Sequence, residues 1–82
     1  MNIVKVNKKI ILFDDSNNEV GFISIYQRKS ILYVHSTQVY QEYQGKGYAS
    51  ILASYLVDYA KNNNLKIKSS CSYISSYLTK HQ

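Results

Sequence analysis

The sequence predicts an α+β fold with the element order β-β-β-α-β-α. We expect a mostly antiparallel sheet with one parallel crossover pair and with the helices packed on the sheet. Three observations support this. Runs of β-branched and aromatic residues occupy the first half of the chain. A stretch with apolar residues at helical spacing follows the longest run. One more short strand pattern follows that helix, so a right-handed crossover must join two parallel strands.

Three strands are predicted before the helix. They are Lys9–Phe13, about Val20–Tyr26 and Ile31 to about Val39. Alternation along the last of them predicts that Leu32 and Val34 face one side, and that His35, Thr37 and Val39 face the other. Because apolar residues occupy both faces at its start, we expect helices to cover this strand on both sides. The segment 3–6 is too short for an assignment.

The second half of the chain predicts two helices around a short strand. The first helix runs from about Tyr48 to Asn62, and the following asparagines end it because asparagine tolerates the left-handed conformation. The next strand is Leu65–Lys68. We expect Ser69 or Ser70 to cap the last helix. Its apolar stripe comprises Ile74, Tyr77, Leu78 and His81. With 82 residues, the chain is expected to form a single domain over residues 1–82.

Composition limits the possible function classes. The single cysteine, Cys71, excludes an internal disulfide and is typical of a reducing compartment. No apolar run is long enough to span a membrane or to form the core of a signal peptide. We therefore expect a cytoplasmic protein without a membrane partner, acting as a monomer or a weak homodimer.

The charge balance bears on nucleic-acid partners. The net charge is +5, with five basic side chains in residues 1–30 and five in residues 31–82. An even spread along the chain is typical of an ordinary soluble surface. We therefore expect no nucleic-acid partner. The rival hypothesis is a small basic nucleic-acid-binding domain that uses tyrosine faces and lysines, and it predicts binding that weakens steeply with salt.

The segment from Gln44 to Ala49 is the main candidate for a functional site. It places two glycines between a strand and the start of a helix, where unpaired backbone N–H groups converge on an anion. A dinucleotide-binding turn is excluded because Ser50 stands at the third glycine position and no acidic residue follows at ribose-binding distance. A P-loop is excluded because its spacing and hydroxyl residue are absent. A plain tight turn remains as the alternative.

A longer motif around this turn resembles a known superfamily. Gln44-x-x-Gly47-x-Ala49 is similar to the Gln/Arg-x-x-Gly-x-Gly/Ala signature of the GNAT superfamily of acetyl-CoA-dependent N-acetyltransferases. His35-Ser36-Thr37-Gln38-Val39 and Cys71-Ser72-Tyr73 further resemble its short single-domain members, which usually show His-Thr-x-Val and Cys-Pro-Phe/Tyr. This chain differs by an inserted Ser36, by Gln44 in place of the commoner arginine, and by Ser72 in place of proline.

The resemblance implies acetyl-CoA as the cofactor and an amine as the acetyl acceptor, either a small molecule or a protein. The pyrophosphate would lie on the turn, and the pantetheine would lie between strands Ile31–Val39 and Leu65–Lys68. The implied cofactor-binding residues are Thr37, Val39, Gln44, Gly45, Lys46, Gly47, Tyr48, Ala49 and Tyr73. A non-catalytic module that only binds acetyl-CoA or CoA is the alternative function.

Three residues are candidates for catalysis. Cys71 lies near the N-terminus of the last helix, where a helix start favours the thiolate, so it is expected either to accept the acetyl group or to contact the thioester. By the resemblance, Tyr77 would protonate the departing thiolate. His35 is a candidate general base for the amine, because histidine is the side chain suited to take up a proton near neutral pH. Each also has a structural alternative in packing. No metal site is expected, because His35, Cys71 and His81 lack ligand spacing.

Overall fold

The computed structural model describes residues 1–80 and confirms the predicted α+β class. Strands Lys9–Phe13 and Ile31–Val39 and helix Tyr48–Asn62 have the predicted bounds, and an additional N-terminal strand is present. A short 3-10 helix at Gln41–Tyr43 precedes the first α-helix. The elements in chain order are β1 Asn2–Lys5, β2 Lys9–Phe13, β3 Glu19–Arg28, β4 Ile31–Val39, α1 Tyr48–Asn62, β5 Lys66–Ser69 and α2 Ser72–Lys80.

The five strands form one sheet in the order β1-β2-β3-β4-β5. Neighbouring strands are antiparallel except for β4 and β5, which are parallel, as the crossover through α1 requires. Gly21 of β3 lies so close to β4 that an added Cβ would come within 2.5 Å of the carbonyl oxygen of Gln38. Glycine at this position therefore permits the close approach of the two central strands.

One face of the sheet carries the core. A single buried cluster combines side chains of β2, β3 and β4 with the apolar stripe of α1 and with Ile74, the buried residue of α2. The stripe of α1 was predicted from its helical spacing, and its members Leu52, Ala53, Leu56 and Ala60 are buried. Both helices thus cover the same side of the sheet.

The opposite face of the sheet remains uncovered by the helices of residues 1–80. Tyr33 of β4 is only half-buried and Tyr26 of β3 is 45% exposed on this side. The expectation that β4 is covered on both sides is therefore wrong. Its apolar run reflects a core face formed by Leu32 and Val34, together with a second face of aromatic and aliphatic residues that is partly open to solvent.

A bulge in β4 overturns part of the predicted side-chain alternation. Val34 pairs with Ile25 and Ser36 pairs with Ser24, so that His35 is an extra residue between the two pairs. A bulge of one residue reverses the faces of all residues that follow it. Thr37 pairs with the buried Ile23 and therefore lies on the core face, where simple alternation placed it on the opposite one. The register change also moves Val39 to the core face.

The start of α2 differs from the prediction as well. Ser69 belongs to β5 and the helix begins at Ser72, so that the residue before the helix is Cys71. The carbonyl of Cys71 accepts the first helical hydrogen bond, from the N–H of Ser75, at 3.0 Å. Neither Ser69 nor Ser70 caps the helix, because both are committed elsewhere. His81 of the predicted stripe lies outside the described residues.

No helix within residues 1–80 combines the length and the apolar character that a membrane crossing would need.

Candidate functional site

The parallel pair β4–β5 opens into a fork at one end of the sheet. The two strands pair from Ile31 and Lys66 to Val34 and Ser69. One further bond follows, from the N–H of Ser70 to the carbonyl of Val34, at 3.0 Å. β4 then continues to Val39, paired with β3 alone. The last part of β4 therefore presents unpaired backbone N–H and C=O groups to an open cleft. A ligand that binds along a strand edge needs such groups as hydrogen-bond partners.

Cys71 lies at the base of this fork. Its Sγ atom is 3.6 Å from Oγ1 of Thr37, on the unpaired part of β4. Ser69 holds the loop, since its hydroxyl accepts a bond from the N–H of Cys71 and donates one to the Cys71 carbonyl, both at 3.0 Å. The bulge at His35 makes this arrangement possible, because it turns Thr37 toward the core face.

The environment of Cys71 favours its thiolate. Burial raises the pKa of the Cys71 thiol, but hydrogen bonds to the sulfur from the backbone N–H of Ile74, the Thr37 hydroxyl and the N–H of Tyr73 outweigh it, so the pKa is lowered overall. The sulfur thus takes the position of an N-cap acceptor at the first turn of α2. A thiol with a lowered pKa at a helix start is the feature on which a reactive role for Cys71 would rest.

The glycine turn follows the open end of β4. Gly45 and Gly47 have φ angles of 80° and 81°, which are left-handed values that favour glycine. Gly47 is the N-cap of α1, and its carbonyl accepts the bond from the N–H of Ile51. Beyond the adjoining backbone, no atom of the described residues lies within 4 Å of the Cβ position at either glycine. Glycine is therefore favoured at both positions by the left-handed backbone angle and not by contacts with neighbouring atoms. The space beside both glycines is open.

The first turn of α1 leaves backbone donors without partners. Among the described residues, none accepts a hydrogen bond from the N–H groups of Tyr48, Ala49 or Ser50. This first turn also contains no acidic side chain. Such a helix start carries partial positive charge and favours an anion. Lys46 is exposed beside it.

The turn is fixed to the fork by Gln44. Its Nε2 atom donates to the carbonyl of Val39, at the end of β4, at 3.0 Å. The rings of Tyr43 and Tyr48 pack together across the turn with their centres 6.3 Å apart. Because Thr37 and Val39 are two residues apart on one strand, these contacts place the start of α1 and the Cys71 sulfur along the same edge of β4.

A groove of about 430 Å³ lies between the first turn of α1 and α2. Its volume is within the range of small-molecule sites. Tyr73 and Tyr77 lie against it with stacked rings, 6.5 Å between centres. Tyr77 also packs against the core, so its two predicted roles are compatible. The residues that line the groove are Ser50, Ser72, Tyr73, Ser76, Tyr77 and Lys80.

Four of these lining residues were missed by sequence reasoning: Ser50, Ser72, Ser76 and Lys80. The spacing of Tyr73, Ser76, Tyr77 and Lys80 is that of one helix face, which is the signal that could have found two of them. The three serines and one surface lysine gave no chemical signal by themselves.

His35 lies apart from the other predicted catalytic residues. It is exposed, and it borders a pocket of about 250 Å³ on the open face of the sheet, together with Tyr33, Lys68 and Ser70. Within residues 1–80, no hydrogen bond joins His35 to Cys71. Nor do three or more metal-ligating side chains converge anywhere in that part of the chain.

The fold and the site define a class of protein. The sheet is mixed and opens at its one parallel pair, next to a glycine turn that starts a helix. This arrangement is the GNAT architecture that the sequence motifs implied. The chain belongs to the family of GCN5-related N-acetyltransferases, since the model of that family matches residues 9–82.

Solved structures agree with this assignment. The chain is 31% identical to a GCN5-like N-acetyltransferase candidate from Staphylococcus aureus, with a TM-score of 0.74 over 98% of this chain and 79% of that one. It also shares its fold with a ribosomal-protein-alanine N-acetyltransferase from Brucella melitensis (24% identity, TM-score 0.68, covering 77% of this chain and 50% of that one). GCN5 from Tetrahymena is a third similar structure (18% identity, TM-score 0.72, covering 88% and 48%).

The chain therefore spans about half the length of the Brucella and Tetrahymena proteins. No match is found among curated proteins.

Proposed function

We propose that this protein binds acetyl-CoA at the fork between β4 and β5 and transfers the acetyl group to an amine. The observation that carries the proposal is the continuity of the site. An anion-binding helix start, an unpaired strand edge and an activated thiol follow one another along the last residues of β4. This sequence of groups fits a molecule that has a pyrophosphate at one position and a thioester at another.

The residues of the chain suit each part of the coenzyme. The first-turn N–H groups of α1 would hold the pyrophosphate, and the left-handed glycines let it approach the backbone without a side chain in the way. The open edge of β4 near Thr37 and Val39 would bond the amides of the pantetheine arm. Bound in this way, the coenzyme supplies an activated acetyl thioester.

The side chains at the fork would handle the protons. Tyr77, which lines the groove beside α1, is suited to donate a proton to a thiolate leaving group. His35 borders a pocket on the other side of the sheet, where an amine can approach and lose its proton. Cys71 either receives the acetyl group or only orients the thioester, and the two routes differ in whether a covalent Cys71 adduct forms.

Thermal unfolding with acetyl-CoA tests the binding step. A ligand at 100 times its Kd stabilises the folded state by about 2.7 kcal/mol, which in a chain of this size raises Tm by more than about 10 °C. Coenzyme A should act similarly, and adenosine alone should not, because it lacks the pyrophosphate and the pantetheine. The absence of any shift at saturating acetyl-CoA would contradict the proposal.

Coenzyme A release with a panel of amines, followed by intact mass of the protein, tests the transfer step. The native chain and Cys71→Ala should be compared. A mass increase of one acetyl group that disappears in Cys71→Ala would assign the covalent route. Release that persists in Cys71→Ala would assign direct transfer. A clear Tm shift without release of coenzyme A for any amine would identify the protein as a binding module instead.

A further inference from the structure

The fold gathers most of the basic side chains at one end of the sheet. This end, called the basic end below, is formed by the β1–β2 turn, the β3–β4 turn, the end of α1 and the start of β5. Register places these segments side by side, because Lys5 pairs with Ile10, Arg28 with Ile31, and Ile31 with Lys66. Seven of the ten basic side chains lie here: Lys5, Lys8, Lys9, Arg28, Lys29, Lys61 and Lys66.

The acidic side chains are distributed the other way. Four of the five lie in segments at the opposite end, in the β2–β3 turn, at the start of β3 or beside the glycine turn: Asp14, Asp15, Glu19 and Glu42. The fifth, Asp58, borders a groove between α1 and α2 together with Tyr77. Among the acidic side chains of residues 1–80, Asp58 alone stands near the basic end, one helical turn before Lys61, so this end keeps an excess of positive charge and its field attracts polyanions.

A concave site lies within the basic end. It is a pocket of about 290 Å³ lined by Lys5, Asn7, Lys8, Tyr26, Gln27 and Lys29. Three lysines supply charge, and the two amide side chains supply hydrogen-bond donors and acceptors. The Tyr26 ring is 45% exposed, although a tyrosine of a buried strand would usually be covered. The pocket thus combines phosphate-binding groups with an accessible aromatic face.

The uncovered face of the sheet extends this arrangement. Tyr26 lies next to Tyr33 of the neighbouring strand, with 6.3 Å between ring centres. Nζ of Lys9 lies 4.4 Å from the ring centre of Phe22 on the same face. Lys66 and Lys68 are exposed along β5. This face therefore carries both aromatic rings and cations, and it adjoins the pocket at Tyr26.

We propose that the basic end and the adjoining open face bind single-stranded nucleic acid. Lysines along a groove bind the phosphate backbone, and exposed aromatic rings stack on unpaired bases. A duplex hides the faces of its bases from Tyr26, and a simple polyanion has no base to stack. The proposal reverses the expectation from sequence, which rested on the even spread of lysines along the chain and not on their position in the fold.

The pocket of the basic end is separate from the fork proposed to hold acetyl-CoA, whereas the far part of the open face, at Tyr33 and Lys68, reaches the pocket that His35 borders. Along β4, Ile31 at the basic end is six residues from Thr37 on the fork, a length of about 20 Å at ~3.3 Å per residue. The two sites can therefore be tested separately, and the nucleic-acid proposal does not depend on the proposed acetyl transfer.

Fluorescence anisotropy with a labelled twelve-nucleotide poly-U strand tests the proposal, using the full chain without acetyl-CoA. About four phosphate contacts predict a slope near −2.8 for log K against log salt. Affinity should then fall about 50-fold between 50 and 200 mM salt. The same measurement with a poly-dT strand and with a duplex of equal length shows whether unpaired bases are required.

Two charge-reversal variants provide a matched pair. Lys8→Glu with Lys29→Glu should lower the affinity for poly-U at least 10-fold and reduce the salt slope by about 1.4, because two phosphate contacts are lost. Lys46→Glu with Lys80→Glu changes the net charge equally but away from the basic end, and should have a much smaller effect. Unfolding midpoints of both variants must match the native protein for the comparison to count.

Tyr26→Ala separates nucleic acid from polyanions in general. Loss of one stacked base should weaken poly-U binding about 5-fold or more, while inorganic polyphosphate binding stays unchanged. Tyr73→Ala, an exposed tyrosine on α2, should leave poly-U binding unchanged. Failure to bind poly-U and poly-dT at 50 mM salt, equal loss in both charge pairs, or an unaltered affinity in Tyr26→Ala would each overturn the proposal.

Discussion

At the scale of single residues, the contact between Thr37 and Cys71 concentrates the chemistry of the site. The Thr37 hydroxyl is one of several hydrogen-bonding groups that stabilise the thiolate of Cys71 against the effect of burial. Backbone N–H groups of α2 supply most of the others. The thiol is therefore activated jointly by a strand residue and by a helix start, and the two contributions can be separated by mutation.

Thr37→Val should raise the pKa of Cys71, because valine keeps the shape of threonine but removes the hydroxyl. The thiolate is the reactive form, so alkylation by iodoacetamide at pH 7.5 should slow several-fold, and the pH midpoint of its rate should move upward. Intact mass against time measures this. Thr37→Ser keeps the hydroxyl and should resemble the native chain. An unchanged midpoint in Thr37→Val would show that the backbone donors suffice.

Thr37 also illustrates which properties of a single residue can be predicted from the sequence and which cannot. Its importance was implied by the family motif, but period-two alternation put its side chain on the wrong face. A bulge depends on how two strands align, and the β4 sequence contains no glycine or proline to mark it. The insertion of Ser36 is the one visible trace, since an extra residue must be absorbed somewhere.

At the scale of elements, the two kinds of glycine in the chain should respond differently to mutation. Gly47→Ala places a side chain in open space, so its cost should come from the left-handed backbone alone, about 1 kcal/mol. Gly21→Ala should cost about 2–3 kcal/mol, because its Cβ meets the backbone of β4. Chemical denaturation measures both costs.

For ligand binding the order of the two glycines should be reversed, so that the change at Gly47 has the larger effect although it costs less stability. Gly47→Ala should weaken acetyl-CoA binding, as followed by the Tm shift, because the new methyl group stands beside the helix start. Gly47→Asn, which tolerates the left-handed conformation better, should be more stable than Gly47→Ala but equally impaired in binding. If Gly47→Ala bound acetyl-CoA normally, the glycine would serve the turn only.

The attachment of α2 depends on Ile74. This side chain is fully buried and is the buried residue of the helix within the described part of the chain. Ile74→Ala should therefore destabilise the fold by about 3 kcal/mol, as other large-to-small core changes do. Ser75→Ala, exposed on the same turn, should change stability by less than about 0.5 kcal/mol. Thermal unfolding compares the two.

Ile74→Ala should have a second effect on Cys71. If α2 loosens, the N–H donors of Tyr73 and Ile74 no longer hold the sulfur in place, and the pKa of the thiol should rise. Slower alkylation at pH 7.5, at a temperature where the variant is still folded, would reveal this coupling. Normal alkylation kinetics in a destabilised Ile74→Ala variant would contradict it.

Most elements could be predicted because their patterns are local. The helical spacing of apolar residues in α1 and the strand-forming residues of β4 predict the observed bounds of these two elements. The handedness of the crossover predicts the parallel pair β4–β5. β3 is longer than predicted, Glu19–Arg28, because its polar ends extend the hairpin beyond the apolar residues that marked it. The start of α2 was misplaced because a cysteine, which is not a usual cap, takes the N-cap position.

At the scale of the whole molecule, two properties could not be read from the chain order. One is the separation of charge, because residues from distant segments meet at one end only when strand direction and register are known. The other is the uncovered face of the sheet, since strands with apolar residues on both faces usually predict two covering layers. Both properties arise from the arrangement of the elements and not from their composition.

The position of β5 has a consequence for the behaviour of the protein in concentrated solution. β5 is one of the two outer strands of the sheet, and a free strand edge can pair with the same edge of another molecule. The strand is only four residues long and carries Lys66 and Lys68, both exposed. Their mutual repulsion opposes edge-to-edge growth. Replacing both lysines with threonine should leave unfolding nearly unchanged while accelerating fibril formation, which thioflavin fluorescence over time would detect.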